Sequence, residues 1–311
     1  MNAPDKRRWL WHVPLALLAV TMLLPLAFML TTALSKPGQA MRPAESLLDF
    51  VVPRSWRWEN FAAVTRIIPF GRYYLNSLIV AGAVTCGLVF TSACAAYAFA
   101  RLEWRGRDVI FPVYIATMMV PAAVTMLPNF IAMKFLPDLL DRSLPWVNWS
   151  AARVLGTTLG DPGVGRLAGI DSYFALIVPV MFSAYGTFML RQFFLSIPRD
   201  IDEAAEIDGA SYWMIFTRLI LPLALPGIAT LAVFTFLGTW SSFIWPLIVT
   251  NQADLATLPL GLLAFQNAGN YGTEWHLMMA AALLILLPVI ALFIVGQKFF
   301  VSGLTVGAVK G

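Results

Sequence analysis

The chain has 311 residues, of which 59% are hydrophobic and only 12% are charged. Soluble domains carry about 25% charged residues, so this composition excludes an ordinary soluble enzyme and implies a polytopic helical membrane protein. The net charge of +4 is too small to argue for nucleic acid as a partner, and the lipid bilayer is the surrounding expected.

Six apolar runs have the length of a membrane span: residues 13–33, 75–100, 109–133, 173–190, 223–249 and 277–297. Backbone in lipid is satisfied only in helices or closed barrels, and runs without period-2 alternation predict helices. The fold class expected is all-α, with about six transmembrane helices. Lys6, Arg7 and Arg8 precede the first run, and Arg101, Arg105 and Arg107 follow the second. Bases in short segments near span ends set orientation, which predicts cytoplasmic N- and C-termini. No small-residue cleavage site follows the basic start, so the first run reads as a span and not a removed signal.

Residues 1–72 read as a cytoplasmic start, a first span and an outer loop. The remainder, 73–311, reads as a core of five spans. Its soluble parts are an outer loop at 134–171, a cytoplasmic loop at 191–221 and a cytoplasmic tail at 298–311. The first outer loop holds Trp56, Trp58 and Phe61, either as interface anchors or as a docking face. Span two is rich in small residues, and Cys86 and Cys94 read as two of them, packed in the core. Span three carries Pro112, Pro121 and Pro128 and is predicted to be kinked. In span five, Thr235, Thr239 and Ser242 recur at four and three, which predicts one hydroxyl face beside Trp240. Such a face suits a sugar, whose hydroxyls pair and whose apolar faces stack on rings. It suits interhelical hydrogen bonding equally well.

No energy-transducing chemistry is present. The chain has no Gly-Lys pair, so no P-loop can hold ATP phosphates. His12 and His276 stand apart, so no metal cluster is expected. The predicted spans lack the acids of a proton relay. An energy source outside the chain is implied.

One stretch breaks the apolar pattern. Asp200, Asp202, Glu203, Glu206 and Asp208 lie together with no intervening base. Each carboxylate would cost about 2.5–3.5 kcal/mol at the bilayer centre, so the stretch belongs in water or against a protein. Asp200 followed by Glu203 has the spacing of a capping box. Ile201, Ala204, Ala205 and Asp208 are predicted to share one flat face, and Gly209 to end the helix in a left-handed conformation. Ser211 is predicted to cap a second helix. There Trp213, Phe216 and Ile220 would form a membrane-side stripe.

Glu203-Ala204-Ala205, Gly209 six residues after the glutamate, and Leu221-Pro222 together resemble the EAA loop of membrane subunits of binding-protein-dependent ABC importers. The wider match extends through FMLRQFFLSIPRDIDEAAEIDGAS and the ending QKFFVSGLTVGAVKG. It resembles the smaller permease subunit of maltose-type carbohydrate importers. Where many such subunits carry a Trp-Asn-Glu-like run, this chain has Trp240-Ser241-Ser242. Its outer loop looks longer by roughly twenty residues.

The resemblance implies a type I importer permease in a bacterial or archaeal cytoplasmic membrane. Glu203, Ala204, Ala205, Asp208 and Gly209 would form a coupling helix seated on an ATPase subunit. Gly303 and Lys310 of the tail would touch the same partner. The assembly implied contains a second permease, two ATP-binding subunits and an extracytoplasmic solute-binding protein. ATP and Mg would be used by the ATPases, with no cofactor bound by this chain. Thr235, Thr239, Trp240 and Ser242 would border the solute pathway. The solute implied is a sugar or oligosaccharide, with glycerol phosphate or a polyol as the alternative and a secondary carrier as a weaker one.

Overall fold

The computed structural model describes residues 8–39, 51–144, 146, 168–266 and 273–308. Among them every regular element is helical and no strand occurs. The helices in chain order are α1 (Arg8–Ala33), α2 (Glu59–Ile67), α3 (Phe70–Ala100), α4 (Arg107–Ala116), α5 (Ala122–Ser143), α6 (Tyr173–Ile177), α7 (Ala184–Ser196), α8 (Asp200–Ile207), α9 (Tyr212–Ile215), α10 (Leu221–Leu223), α11 (Leu225–Trp240), α12 (Ile244–Val249), α13 (Leu258–Gly261) and α14 (Trp275–Ala308). Among the described residues four stretches are long and apolar enough to cross a membrane: His12–Ala33, Phe70–Ala100, Ala122–Ser143 and Trp275–Ile294. Two bent pairs bring the number to six if each pair is one span.

The chain forms two compact units, residues 1–71 with 261–288, and 72–260 with 289–311. In the first unit, α1 is exposed along its apolar length, as a lipid-facing helix would be. The chain after α1 is tied back to it by side chains. Asn60 donates to the carbonyls of Ala33 and Ser35 at 2.7 and 2.9 Å, and Ser55 donates to that of Leu34 at 3.0 Å. These bonds satisfy carbonyls that the end of α1 would otherwise leave open. Trp58 stacks on Phe61, while Trp56 and Trp58 remain mostly exposed.

In the second unit, α3 is the central element. Its small residues let α7 come close. A methyl group at Gly186 would sit 2.5 Å from the Ser92 hydroxyl, and one at Gly87 would collide with Met181. Glycine is needed there for space alone. The buried cluster around Leu88, Tyr97, Leu190, Phe194, Phe216 and Ile220 joins α3, α7 and the start of the α9–α11 segment. At the Phe70 end of α3, Asn76 donates to the carbonyls of Asp254 and Ala256, and Tyr173 donates to Asn76 Oδ1. Leu258 donates its backbone N–H to the Ser77 hydroxyl. The loop before α13 therefore has buried partners for its backbone groups.

Several sequence expectations are corrected. The third apolar run is two helices and not one kinked span. The break comes at Thr117–Pro121, where a 3-10 turn precedes a proline that cannot continue the backbone ladder. Helix α5 then runs on to Ser143, so the first ten residues assigned to the outer loop are helical. Most of the remaining loop lies outside the described residues. The fifth run is interrupted at Ser241–Phe243 and resumes as α12. Residues 298–308 of the expected tail continue α14. Cys86 faces outward and is not a core residue, and both cysteines are free thiols.

Candidate functional site

The acidic stretch folds as α8, eight residues long, between α7 and α9. Its start differs from the capping box expected. Arg199 already has helical dihedrals, with φ −69° and ψ −27°, and no side chain caps the helix. Asp200 therefore lies inside the first turn, where its charge, with those of Asp202 and Glu203, suits the positive end of the peptide dipoles.

The end of α8 is as the sequence predicts. Gly209 is left-handed at φ +81°. The Ala210 N–H donates to the Ala205 carbonyl at 2.9 Å and the Gly209 N–H to that of Glu206 at 3.0 Å. That pair of bonds is a Schellman motif, and it satisfies two carbonyls that would otherwise be open. The Ser211 hydroxyl then accepts from the Met214 N–H at 3.3 Å, capping α9 as expected. A π-helical turn at Phe216–Ile220 follows, and the segment bends by 77° before α11.

The faces of α8 are divided differently from the expectation. Ala205 is 8% exposed and packs inward with Tyr97 and Phe216. Ala204, Glu203, Asp208 and Gly209 face outward, so the alanine pair does not present one flat surface. The most exposed large hydrophobic residue among the described residues is also on α8, and the sequence reading placed it nowhere: Ile207, at 86%. Nothing lies within 4 Å of a methyl group placed on Gly209, so the surface beside it is open. Phe216 and Ile220 point into the core rather than toward lipid, and only Trp213 of that triplet is exposed. Phe216 packs on the Tyr97 ring at 4.9 Å.

Charge anchors α8 to α3. Arg101 follows α3 directly, and its side chain is 3% exposed. It pairs with Asp202 at 3.0 Å and also donates to the carbonyls of Phe194 and Ile197, the latter at 2.7 Å. Those carbonyls belong to the end of α7 and the residue after it, so the guanidinium also serves as a C-terminal cap. A cavity of about 420 Å³ adjoins the pair, lined by Tyr97, Arg101, Trp104, Arg199, Asp202, Glu203, Glu206 and Tyr212 among others. An exposed pair, Arg199 with Glu103 at 3.5 Å, spans its rim.

The sequence reading used Arg101 only for orientation and gave Asp202 no partner. A signal was present: Arg101 is the first charge after a long apolar run, where a base can turn back onto helix-end carbonyls. Gly303 lies in α14, and Lys310 lies outside the described residues.

The pathway candidates are not one stripe. α11 ends at Trp240, so Ser242 is beyond the helix and off the face expected for it. Even so, Thr239 and Ser242 line one cavity of about 100 Å³, with Ser77, Trp245 and Thr257. Thr235 is half-buried one turn before Thr239, on the same face of α11 as expected, so only Ser242 leaves the stripe. Trp240 is 2% exposed, with Tyr74 edge-on at 5.5 Å and Phe236 stacked at 5.6 Å. Among the described residues no cluster of His, Cys, Asp or Glu could hold a metal ion.

Known proteins resemble this chain over most of its length. A permease protein of the sn-glycerol-3-phosphate transport system of Pectobacterium atrosepticum is 32% identical over 260 residues, which is 82% of each chain. A permease protein of the arabinooligosaccharides transport system of Bacillus subtilis is 30% identical over 95% of this chain and 93% of its own. A solved chain of a bacterial ABC transporter involved in the import of the acidic polysaccharide alginate superposes with a TM-score of 0.73. It covers 96% of this chain and 100% of its own, and at 19% identity it shares the fold. The model of the binding-protein-dependent transport system inner membrane component matches residues 60–306. That match spans most of the chain, which belongs to the family of binding-protein-dependent transport system inner membrane components.

Proposed function

We propose that this chain is one of two membrane-spanning subunits of an ATP-driven importer, and that it forms half of the passage for a carbohydrate. α8 is the surface that engages a separate ATPase subunit, which uses ATP and Mg while this chain performs no catalysis. An extracytoplasmic binding protein delivers the solute, and both termini of this chain lie in the cytoplasm. The observation that carries this reading is the exposed apolar side chain of Ile207 beside the open surface at Gly209, on a helix otherwise studded with carboxylates. An isoleucine 86% exposed in water is costly, and burial against a partner recovers about 1.5–3 kcal/mol.

The test is co-purification of the chain with its ATPase, second permease and binding protein, followed by uptake into vesicles. Ile207→Ser is expected to weaken ATPase association by roughly 10- to 100-fold, from the transfer energy above and about 1.4 kcal/mol per decade. Unchanged association would refute the docking surface. For the solute, arabino-oligosaccharides and sn-glycerol-3-phosphate are offered in parallel. The glycerol phosphate arm is included because a relative named for that solute is 32% identical. Uptake without ATP or without the ATPase would refute the importer reading.

A further inference from the structure

Covalently, α8 connects only to α7 and α9, through Ile197–Arg199 and Asp208–Ser211. Its attachment to α3, the central helix of the unit, passes through side chains. The Arg101 guanidinium is the polar centre of that attachment, since one group holds the carboxylate of Asp202 in α8 and two carbonyls at the end of α7. We propose that Arg101 and Asp202 are the positioning pair through which displacement of α8 is delivered to α3 and α7. On this view they set how much solute moves for each ATP hydrolysed. This rests on the reading of α8 as the docking helix.

Two observations distinguish a moving joint from a static staple. First, the pair is buried but not saturated: Arg101 Nε and Asp202 Oδ1 are buried without a hydrogen-bond partner among the described residues. Buried polar atoms are usually paired, so a spare donor and a spare acceptor on the same ion pair leave it a second arrangement to adopt. Second, the pair is not enclosed by close packing on every side. The cavity of about 420 Å³ beside it gives α8 room to shift without dislodging the core. The apolar contact that runs parallel, Tyr97 on Phe216, comes from the residue one turn before Arg101, so charge and packing act on the same end of α3. Arginine suits this task because its planar fork reaches several acceptors at once, which an ammonium does with poorer geometry.

The experiment uses the whole complex in vesicles, with the solute that the wild type imports of the two offered above. Asp202→Asn keeps the shape of the side chain and removes its charge. Arg101→Lys keeps the charge and removes the fork. Three quantities are read: yield of the assembled complex, ATP hydrolysis per complex, and solute moved per ATP. The expected result is assembled complex with hydrolysis within about twofold of wild type. Solute moved per ATP is expected to fall by about tenfold in Asp202→Asn and by less in Arg101→Lys. A ratio equal to wild type in the assembled fraction of both variants would overturn the proposal, whether assembly is normal or reduced, because the pair would then serve only folding. Failure of the docking reading itself is separable: Ile207→Ser would then associate with the ATPase as tightly as the wild type does.

Discussion

Gly209 offers the sharpest test of the local physics. Its φ of +81° lies in the left-handed region, and a methyl group placed on it meets nothing within 4 Å. The two reasons for a glycine, conformation and space, are therefore separated within this chain, and only conformation applies. An L-residue other than glycine pays about 1–2 kcal/mol in that region. Asparagine pays less, because its short amide tolerates the left-handed state. Gly209→Ala is thus expected to loosen the Schellman motif by about 1–2 kcal/mol, a factor of roughly 5–30 in local opening. Gly209→Asn, although bulkier, is expected to lie closer to wild type. The assay is amide hydrogen exchange of the peptide covering Glu206–Ser211, where the Gly209 and Ala210 N–H groups make the two capping bonds. Exchange in Gly209→Ala as slow as wild type, or faster exchange in Asn than in Ala, would refute the argument. Uptake supplies a second order. If a partner presses closely on this surface, Asn transports worse than Ala despite its calmer backbone.

The two alanines of the motif are expected to separate cleanly. Ala205→Leu overfills the cluster of Tyr97 and Phe216, costs about 1–3 kcal/mol and lowers the melting temperature of the purified chain. Ala204→Leu leaves the melting temperature unchanged and acts only on ATPase association, because that side chain is exposed. Gly227→Ala would place a methyl carbon 2.6 Å from the ring of Phe193, near its attachment. The ring must turn, and a loss of about 1–3 kcal/mol is expected in thermal unfolding. Equal stability of that variant and wild type would mean that α7 and α11 lie farther apart.

What the sequence made legible follows the range of the interactions. Gly209 as a left-handed helix end and Ser211 as a cap rest on residues three to five apart, and both are present. The start of α8 failed the same kind of reasoning because Pro198 and Arg199 lead into a helical turn one residue earlier than a capping box needs. The Asp202 carboxylate was then claimed by Arg101, from a different helix, and no local pattern carries that information. Hydropathy located the spans but not their interruptions. At Thr117–Pro121 and Ser241–Phe243 the chain stays apolar enough for lipid while its backbone leaves the helix. The inward turn of Ala205, Phe216 and Ile220 depends on which neighbour arrives, a tertiary fact.

α8 has eight residues, and isolated helices shorter than ~12–15 residues are marginal in water. A synthetic peptide of this segment would therefore be largely unstructured and a poor mimic of the surface, unless its ends were covalently stapled. The same fact orders events during biogenesis. The helix becomes persistent only after the end of α3 supplies Arg101 and the apolar bed for Ala205. A subunit whose membrane portion has not yet packed therefore has no formed α8.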